Sequence, residues 1–357
     1  MNKKRIYVDV HCLQTVPPSC VNRDDTGSPK TCIYGGVTRS RVSSQAWKRA
    51  VREEFRNLLP AESRGVRTKK IVEMVKEEIL KLKDTMSPEQ AEKDAEKALV
   101  NAGLKIKSAD KGTDALMFMS RRQAAALADL SVNGESDKKK YKAALAANPS
   151  VDMALFGRMV ASDPSLNYDA SAQVAHAIST HNVKNEYDYF TAVDDMSPED
   201  NAGAGHIGVN EYNSGTLYRY ATVNVMELYR SLGLETPEAV KAFVEAFVKS
   251  MPTGKQNSYA NNTLPCAVYV AVREDQPVSM VGAFEKPVPA TSNGFEHESE
   301  TRLEEYAEKT YKQFVKEPFA AFVSGEGLEK LGDSKPFDQV LDELETVVKD
   351  LLPTGEE

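Results

Sequence analysis

Acid–base and nucleophilic equipment is scarce in this chain: five histidines and four cysteines among 357 residues. Cys12, Cys20, Cys32 and Cys266 show no C-x-x-C spacing, so a zinc site is not expected and free thiols in a reducing cytoplasm are. No apolar run approaches membrane-spanning length, which leaves no membrane partner to expect. The basic start is followed by Ile6 to Leu13, but Asp9 and His11 interrupt that run, unlike the core of a signal peptide. No Ser/His/Asp order or Cys/His pair stands out. An enzyme is therefore not expected, and neither is a cofactor.

The net charge of −8 is unevenly spread. Residues 1–58 carry eleven Lys/Arg against five Asp/Glu, and from Glu296 onward acidic residues outnumber basic ones by seventeen to seven. One basic region on an acidic chain suits a protein that grips a polyanion with one face. An asymmetry without function, plus a solvated acidic tail, is the plainer alternative.

Ile6, Val8, Val10 and Cys12 alternate with Tyr7, Asp9 and His11, the period of a strand. Ser43 and Ser44 offer N-cap oxygens to a helix over 45–59, with Trp47, Ala50, Val51, Phe55 and Leu58 as its buried stripe. Residues 68–148, rich in Ala, Lys and Glu, read as a helical insert in which Ile71, Met74, Val75, Ile79 and Leu82 repeat with helical period. Within it Ser87-Pro88-Glu89-Gln90 reads as a capping box. Val151 to Met159 is expected as a second strand, followed by a helical stretch, and Gly215 to Val225 as a third. A helix from Thr236 carries Val240, Phe243, Val244, Phe247 and Val248, and Ala267 to Val272 makes a fourth strand. The predicted fold is α+β, a β-α-β-β-α-β arrangement of the ferredoxin-like or RNA-recognition kind with one sheet face free. The aromatic signature by which such modules stack bases is absent.

The strongest local signal runs from Arg39 to Arg52. Lys48, Arg52 and Arg56 form one helical stripe with Arg49 beside it. Arg39, Arg41 and the serines converge on the helix N-terminus, where free N–H groups and the macrodipole favour an anion. A phosphate track is one reading; a solvated face paired with Glu53 and Glu54 is the other. His176 and His181, five apart, would point about 140° from each other on a helix, so satisfied structural histidines are expected rather than a metal pair. Gly203-Ala-Gly205-His-Ile-Gly208 has the letters of a dinucleotide fingerprint but is followed by a strand. Asp24-Asp25 and Asp194-Asp195 could hold magnesium for nuclease work, though adjacent acids in loops usually form turns. Glu186 to Asn213 reads as a projecting hairpin entered by Tyr187, Tyr189 and Phe190, either a wedge between bases or core packing. Lys138-Lys139-Lys140 with Lys142 adds a basic cluster to the insert.

Taken in order, Ser19-Cys20-Val21-Asn22-Arg23-Asp24-Asp25, Tyr34-Gly35-Gly36, Arg41-Val42-Ser43-Ser44-Gln45, Lys48-Arg49-Ala50 and Gly157-Arg158-Met159 resemble the CasC (Cse-type) family. So do Ala175-His176 through His181, Tyr189 through Asp195, Ser214 through Ala221 and Ala283-Phe284-Glu285-Lys286. That family supplies the backbone subunit of the type I-E CRISPR complex Cascade. The resemblance covers residues 5 to 290. It implies a palm over 1–67, 149–185 and 214–357, helical fingers over 68–148, and a thumb hairpin over 186–213. It further implies a non-catalytic subunit, several copies of which stack along CRISPR guide RNA beside other Cascade subunits and present the guide to target DNA. By position, Arg23, Lys30, Arg41, Ser43, Gln45, Lys48 and Arg52 look like holders of guide phosphates, with Arg49 alongside and Lys255 and Gln256 in a further RNA-touching loop. Met159, Phe190 and Thr191 look like a base wedge, and Lys138, Lys139 and Lys142 like a rail for DNA. A related reading is a magnesium-dependent nuclease acting on target RNA through Asp24 or Asp25.

Overall fold

Long alternating runs such as the one opening this chain need partners on both edges, and the computed structural model supplies them. It describes residues 4–108, 112–160, 163–192, 196 and 206–353. The strands in chain order are β1 (Tyr7–Ser19), β2 (Thr31–Tyr34), β3 (Val37–Val42), β4 (Gly65–Thr68), β5 (Met117–Ser120), β6 (Ala172–Val174), β7 (Ala177–Ser179), β8 (Glu186–Ala192), β9 (His206–Asn224), β10 (Ala267–Arg273) and β11 (Ala320–Gly325). The helices are α1 (Ser44–Leu58), α2 (Ile71–Leu82), α3 (Pro88–Asn101), α4 (Arg121–Val132), α5 (Lys138–Ala146), α6 (Val151–Phe156), α7 (Val225–Leu232), α8 (Thr236–Lys249), α9 (Gln256–Tyr259), α10 (Glu296–Gln313) and α11 (Phe337–Leu351). The chain divides into two units, one of Met1–Val51, Val174–Thr222 and Val244–Val347, the other of Arg52–Gln173, Val223–Phe243 and Val348–Glu357.

The first unit is built on a sheet of order β11-β10-β1-β9-β7-β3-β2, with β6 and β8 also paired to β9. Pairing is antiparallel for β10 with β1 and β11, for β7 with β3 and β9, and for β8 with β9. Two expectations fail here. Val151 onward is helix α6, not a strand, and the strand that follows α1 into the sheet is β7, in a stretch read as helical. A short apolar run fits a buried helix and a buried strand equally well. For Ala177–Ser179, pairing with β3 on one side and β9 on the other outweighs the helix propensity of its alanine-rich neighbourhood. The fold is thus mixed helix and antiparallel sheet.

The sheet face expected to be free is covered. Leu13, Tyr218, Tyr220 and Tyr269 pack against Leu303 and Ala307 of α10 and against Met280 and Phe284, in one buried apolar cluster. Within that layer Tyr220 donates its hydroxyl to Asp9 (3.0 Å), His11 Nδ1 meets the Tyr218 hydroxyl (2.8 Å), and His11 stacks on Tyr269. Burial, aided by Arg273, pushes His11 down to about 3. Burial raises Asp9 to about 6, against the lowering effect of the nearby Thr222 hydroxyl, the hydrogen bonds from Val278 N and the Tyr220 hydroxyl, and the charge of Arg273.

These two groups oppose each other as pH falls. Unfolded, the histidine takes up a proton near its ordinary value of about 6.5, so the stability it contributes is complete above that pH and declines toward pH 3. Asp9 holds in the fold a proton that the unfolded chain releases, which stabilises the acid side of the range. His11→Gln keeps a partner for Tyr218 and removes the titration. Between pH 6.5 and 4, urea unfolding should show the variant losing about 3 kcal/mol less stability than the wild type. Equal losses in both proteins would remove His11 from the account.

In the second unit, α2 to α5 are helical as their periodicity predicts and share a core: Ile71, Val75, Ile79, Ala95, Leu99, Leu127, Tyr141 and Leu145 are buried together. Leu82 lies outside that stripe, exposed. Ser87 Oγ accepts from Gln90 N as predicted, but the return bond of a capping box is missing because Gln90 Nε2 donates to Asp94. The full box is at Ser120 and Gln123 instead. The antiparallel pair β4–β5 was not anticipated.

Candidate nucleic-acid interface

In the first unit the interface is assembled from a loop, a strand end and a helix start. Lys30 N donates to Asn22 O (2.8 Å), Arg41 N donates to Lys30 O (2.9 Å), and Ser43 N donates to Asn22 Oδ1 (2.9 Å), so the loop carrying Arg23 and Lys30 is stitched to the end of β3. Ser43 Oγ accepts from Ala46 N (3.3 Å) and caps α1, as its sequence predicts. Asp24 Oδ1 accepts from the N–H groups of Thr26 and Ser28, and the Thr26 hydroxyl holds its carboxyl below the ordinary range. It is a turn former.

Gly254 presses the 253–256 loop against this assembly: a Cβ there would stand 2.0 Å from Val21 O. Lys255 follows in the left-handed region (φ 46°) and its ammonium donates to Asn210 Oδ1 of β9. Burial raises the Cys20 thiol while the charges of Lys255 and Arg23 both pull it down, so both cations act on one residue. A small cleft is lined by Ser19, Asn22, Lys30, Ser40, Arg41 and Asn213. The structure therefore gathers Arg23, Lys30, Arg41 and Ser43 on one stitched loop and strand end, with Lys255 acting on Cys20 of the same loop and Gln256 following it at the start of α9. Gln45 and Arg49 are exposed on the first turns of α1, and half-buried Lys48 has its ammonium pulled below the usual range by desolvation.

Arg39 and Arg52 are placed otherwise. Arg39 is fully buried and donates to the carbonyls of Tyr34, Ser179, Phe284 and Glu285, which makes it a strut. Arg52 donates through Nε to Asp152 Oδ2 (2.9 Å), and its guanidinium lies 4.6 Å from the centre of the Phe118 ring. Asp152, itself buried, also accepts from Gly65 N (2.8 Å). The stripe thus loses the open charge expected at its middle, because a partner one hundred residues away in the sequence neutralises it.

The hairpin is present as β8 with the first half of β9, in a register that sets Tyr189 opposite Val209 and Phe190 opposite Gly208. Tyr187 and Tyr189 are 66% and 63% exposed, so core packing of these rings is ruled out. Phe190 lies over Gly208, where any Cβ would meet its ring at 2.3 Å. Thr191 is exposed beside it. Gly203, Gly205, Asp194 and Asp195 fall outside the described residues, and Gly208 sits in a strand with no helix start to hold a pyrophosphate.

In the second unit Met159 is 83% exposed. Its neighbours explain this. Gly157, at φ 79°, turns the chain where a Cβ would stand 2.9 Å from Tyr168 O. Arg158 is buried and donates to Leu166 O, Phe118 O, Leu145 O and Gln123 Oε1 at 2.8–3.2 Å. Burial lowers its guanidinium to about 10. Sequence reasoning missed this clamp, since nothing local marks Arg158 as buried. Lys138 and Lys139 are exposed at the start of α5, whereas Lys142 pairs with Asp163 (2.6 Å).

His181 is satisfied as expected: Thr216 N donates to Nε2 (3.1 Å), Nδ1 reaches Asn182 O, and the ring stacks 3.5 Å from Phe295. His176 is not buried; it stands exposed against Arg41. Among the described residues no group of three His, Cys, Asp or Glu side chains is placed to hold a metal ion, and no helix is long and apolar enough to cross a membrane.

A basic cleft and an exposed aromatic hairpin thus lie in the same unit. A chain of a solved "CRISPR RNA-guided surveillance complex, pre-nicking" is similar over 96% of this chain and 100% of its own, with 32% identity and a TM-score of 0.81. A chain of another "CRISPR RNA-guided surveillance complex" is 30% identical over 96% of this chain and 99% of its own, with a TM-score of 0.64. No curated protein matches. Residues 8–349 match the model of the Cas CT1975 family, described as CT1975-like protein, and the chain belongs to that family.

Proposed function

We propose that this protein is a non-catalytic guide-RNA-binding backbone subunit of a type I-E Cascade complex, of the CasC kind. The observation that carries the reading is the convergence of Arg23, Lys30, Arg41 and Lys255 beside a hairpin that presents Tyr187, Tyr189 and Phe190 to solvent. In this reading β1-α1-β7-β9-α8-β10 is the ferredoxin-like palm, whose four strands lie in the order β10-β1-β9-β7. The helices α2 to α5 are the fingers and β8–β9 the thumb. Cations on phosphates supply affinity without reading sequence, and pairing by the guide supplies specificity. Further copies of the chain stack along the guide in the cytoplasm beside other Cascade subunits, with Met159, Phe190 and Thr191 displacing a base at intervals. The exposed Lys138 and Lys139, with Lys142 once released from Asp163, face target DNA.

Purification of the full chain with and without guide RNA tests the reading; a monomer indifferent to RNA at low salt would overturn it. Phe190→Ala should leave the fold intact and change base accessibility at regular steps along the bound RNA in chemical probing, because a stacked base is worth about 1–3 kcal/mol. Unchanged reactivity would remove Phe190 from the wedge. The nuclease alternative is weaker on geometry, since Asp24 is engaged in its own turn. Magnesium-dependent cuts in a labelled complementary RNA would favour it.

A further inference from the structure

His176 is an exposed histidine beside Arg41 that the phosphate reading leaves without a role. It occupies the bend between β6 and β7, and the register Arg41 with Ile178 and Val42 with Ala177 sets it one step further along, level with Ser43 at the start of α1. The Arg41 guanidinium donates to the ring at 3.2 Å (Nη1 to Nδ1) while its Nε holds Thr31 O (3.1 Å). Accepting at Nδ1 fixes the tautomer, leaving the hydrogen on Nε2. The charged groups acting on the ring are Arg41 from β3 and Lys30 from the loop before β2. The Cys32 thiol of β2, which also faces Arg41, is raised by burial and stays uncharged.

We propose that His176 is a titrating member of the Arg41–Lys30 phosphate grip, taking up one proton from solvent when RNA binds. The inference rests on the phosphate reading above. In the free protein, partial burial and the two cations hold the imidazole below its ordinary value. A phosphodiester oxygen placed between Arg41 and Lys30 removes that penalty. The Arg41 N–H then turns from Nδ1 to the phosphate, a solvent proton adds to Nδ1, and the resulting imidazolium contributes a further positive charge. Charge and protons balance: one proton enters and one cation forms.

The experiment is calorimetry of the full chain with a single-stranded RNA oligonucleotide at pH 6.0 and 7.5, in buffers of different ionisation enthalpy, for the wild type, His176→Gln and His297→Gln. Glutamine keeps an acceptor for Arg41 and a donor but does not titrate; His297 is exposed on α10 and serves as control. The wild type and His297→Gln should bind about three- to tenfold more tightly at pH 6.0, with net proton uptake, and His176→Gln should lose most of that gain. A pH dependence unchanged in His176→Gln, or an equal loss of affinity at both pH values, overturns the role of His176 and leaves the phosphate reading standing. No RNA binding by the wild type at either pH overturns both.

Discussion

Arg41→Ala combined with Lys255→Ala should weaken binding of guide RNA about thirty- to a hundredfold at moderate salt, whatever the guide's sequence. Both cations belong to segments that contact the 20–30 loop, one at the end of β3 and the other on a loop that Gly254 presses against Val21. Neither is tied to a carboxylate in the contacts above: Arg41 holds Thr31 O and His176, and Lys255 holds the amide of Asn210. Each phosphate contact steepens the salt dependence by about 0.7 log units per log of salt on a single strand, so the double variant should flatten the slope by about 1.4. Arg52→Ala, by contrast, should leave the slope nearly unchanged, because its charge answers Asp152. A double variant with the wild-type slope would dissolve the phosphate assignment. Filter binding across a salt series distinguishes the outcomes.

The second large effect concerns stability. Arg158→Ala withdraws a fork of donors from four buried acceptors and should cost about 3–5 kcal/mol. Lysine restores a charge but not the planar fork, so Arg158→Lys should recover only part of it. Hydrogen exchange reads the result locally: amides of β5 and the C-terminal turn of α5 should exchange faster in the variant. Undisturbed protection there would mean that the carbonyls find other donors. Met159, the next residue, would lose its fixed presentation at the same time.

The parts of this architecture that could be read in advance are those whose cause is local. The alternation in β1, the cap at Ser43 and the stripe Val240-Phe243-Val244-Phe247 of α8 are periodic, and all appear where periodicity puts them. What could not be read depends on remote partners. The strand β7 is three residues long and exists because β3 and β9 flank it. Arg52 and Arg158 look like surface cations in sequence, and distant acceptors bury or neutralise them. The cover over the sheet comes from α10, in the stretch after residue 290 where the family resemblance gives least guidance. Within the candidate site, Arg23, Lys30, Arg41 and Ser43 can be named as candidates from one stretch of sequence, while the partnership of His176 with Arg41 needs the pairing of β3 with β7.

Tyr218, Tyr220 and Tyr269 lie beneath α10 at 2%, 8% and 1% exposure. No nucleobase can reach them without peeling off a helix and the apolar cluster beneath it. Base stacking on this sheet face is therefore closed to any bound strand, and the proposed contacts all lie outside the sealed layer. On the proposed reading, an aromatic floor sealed in this way leaves the bases of a carried strand uncovered by the sheet.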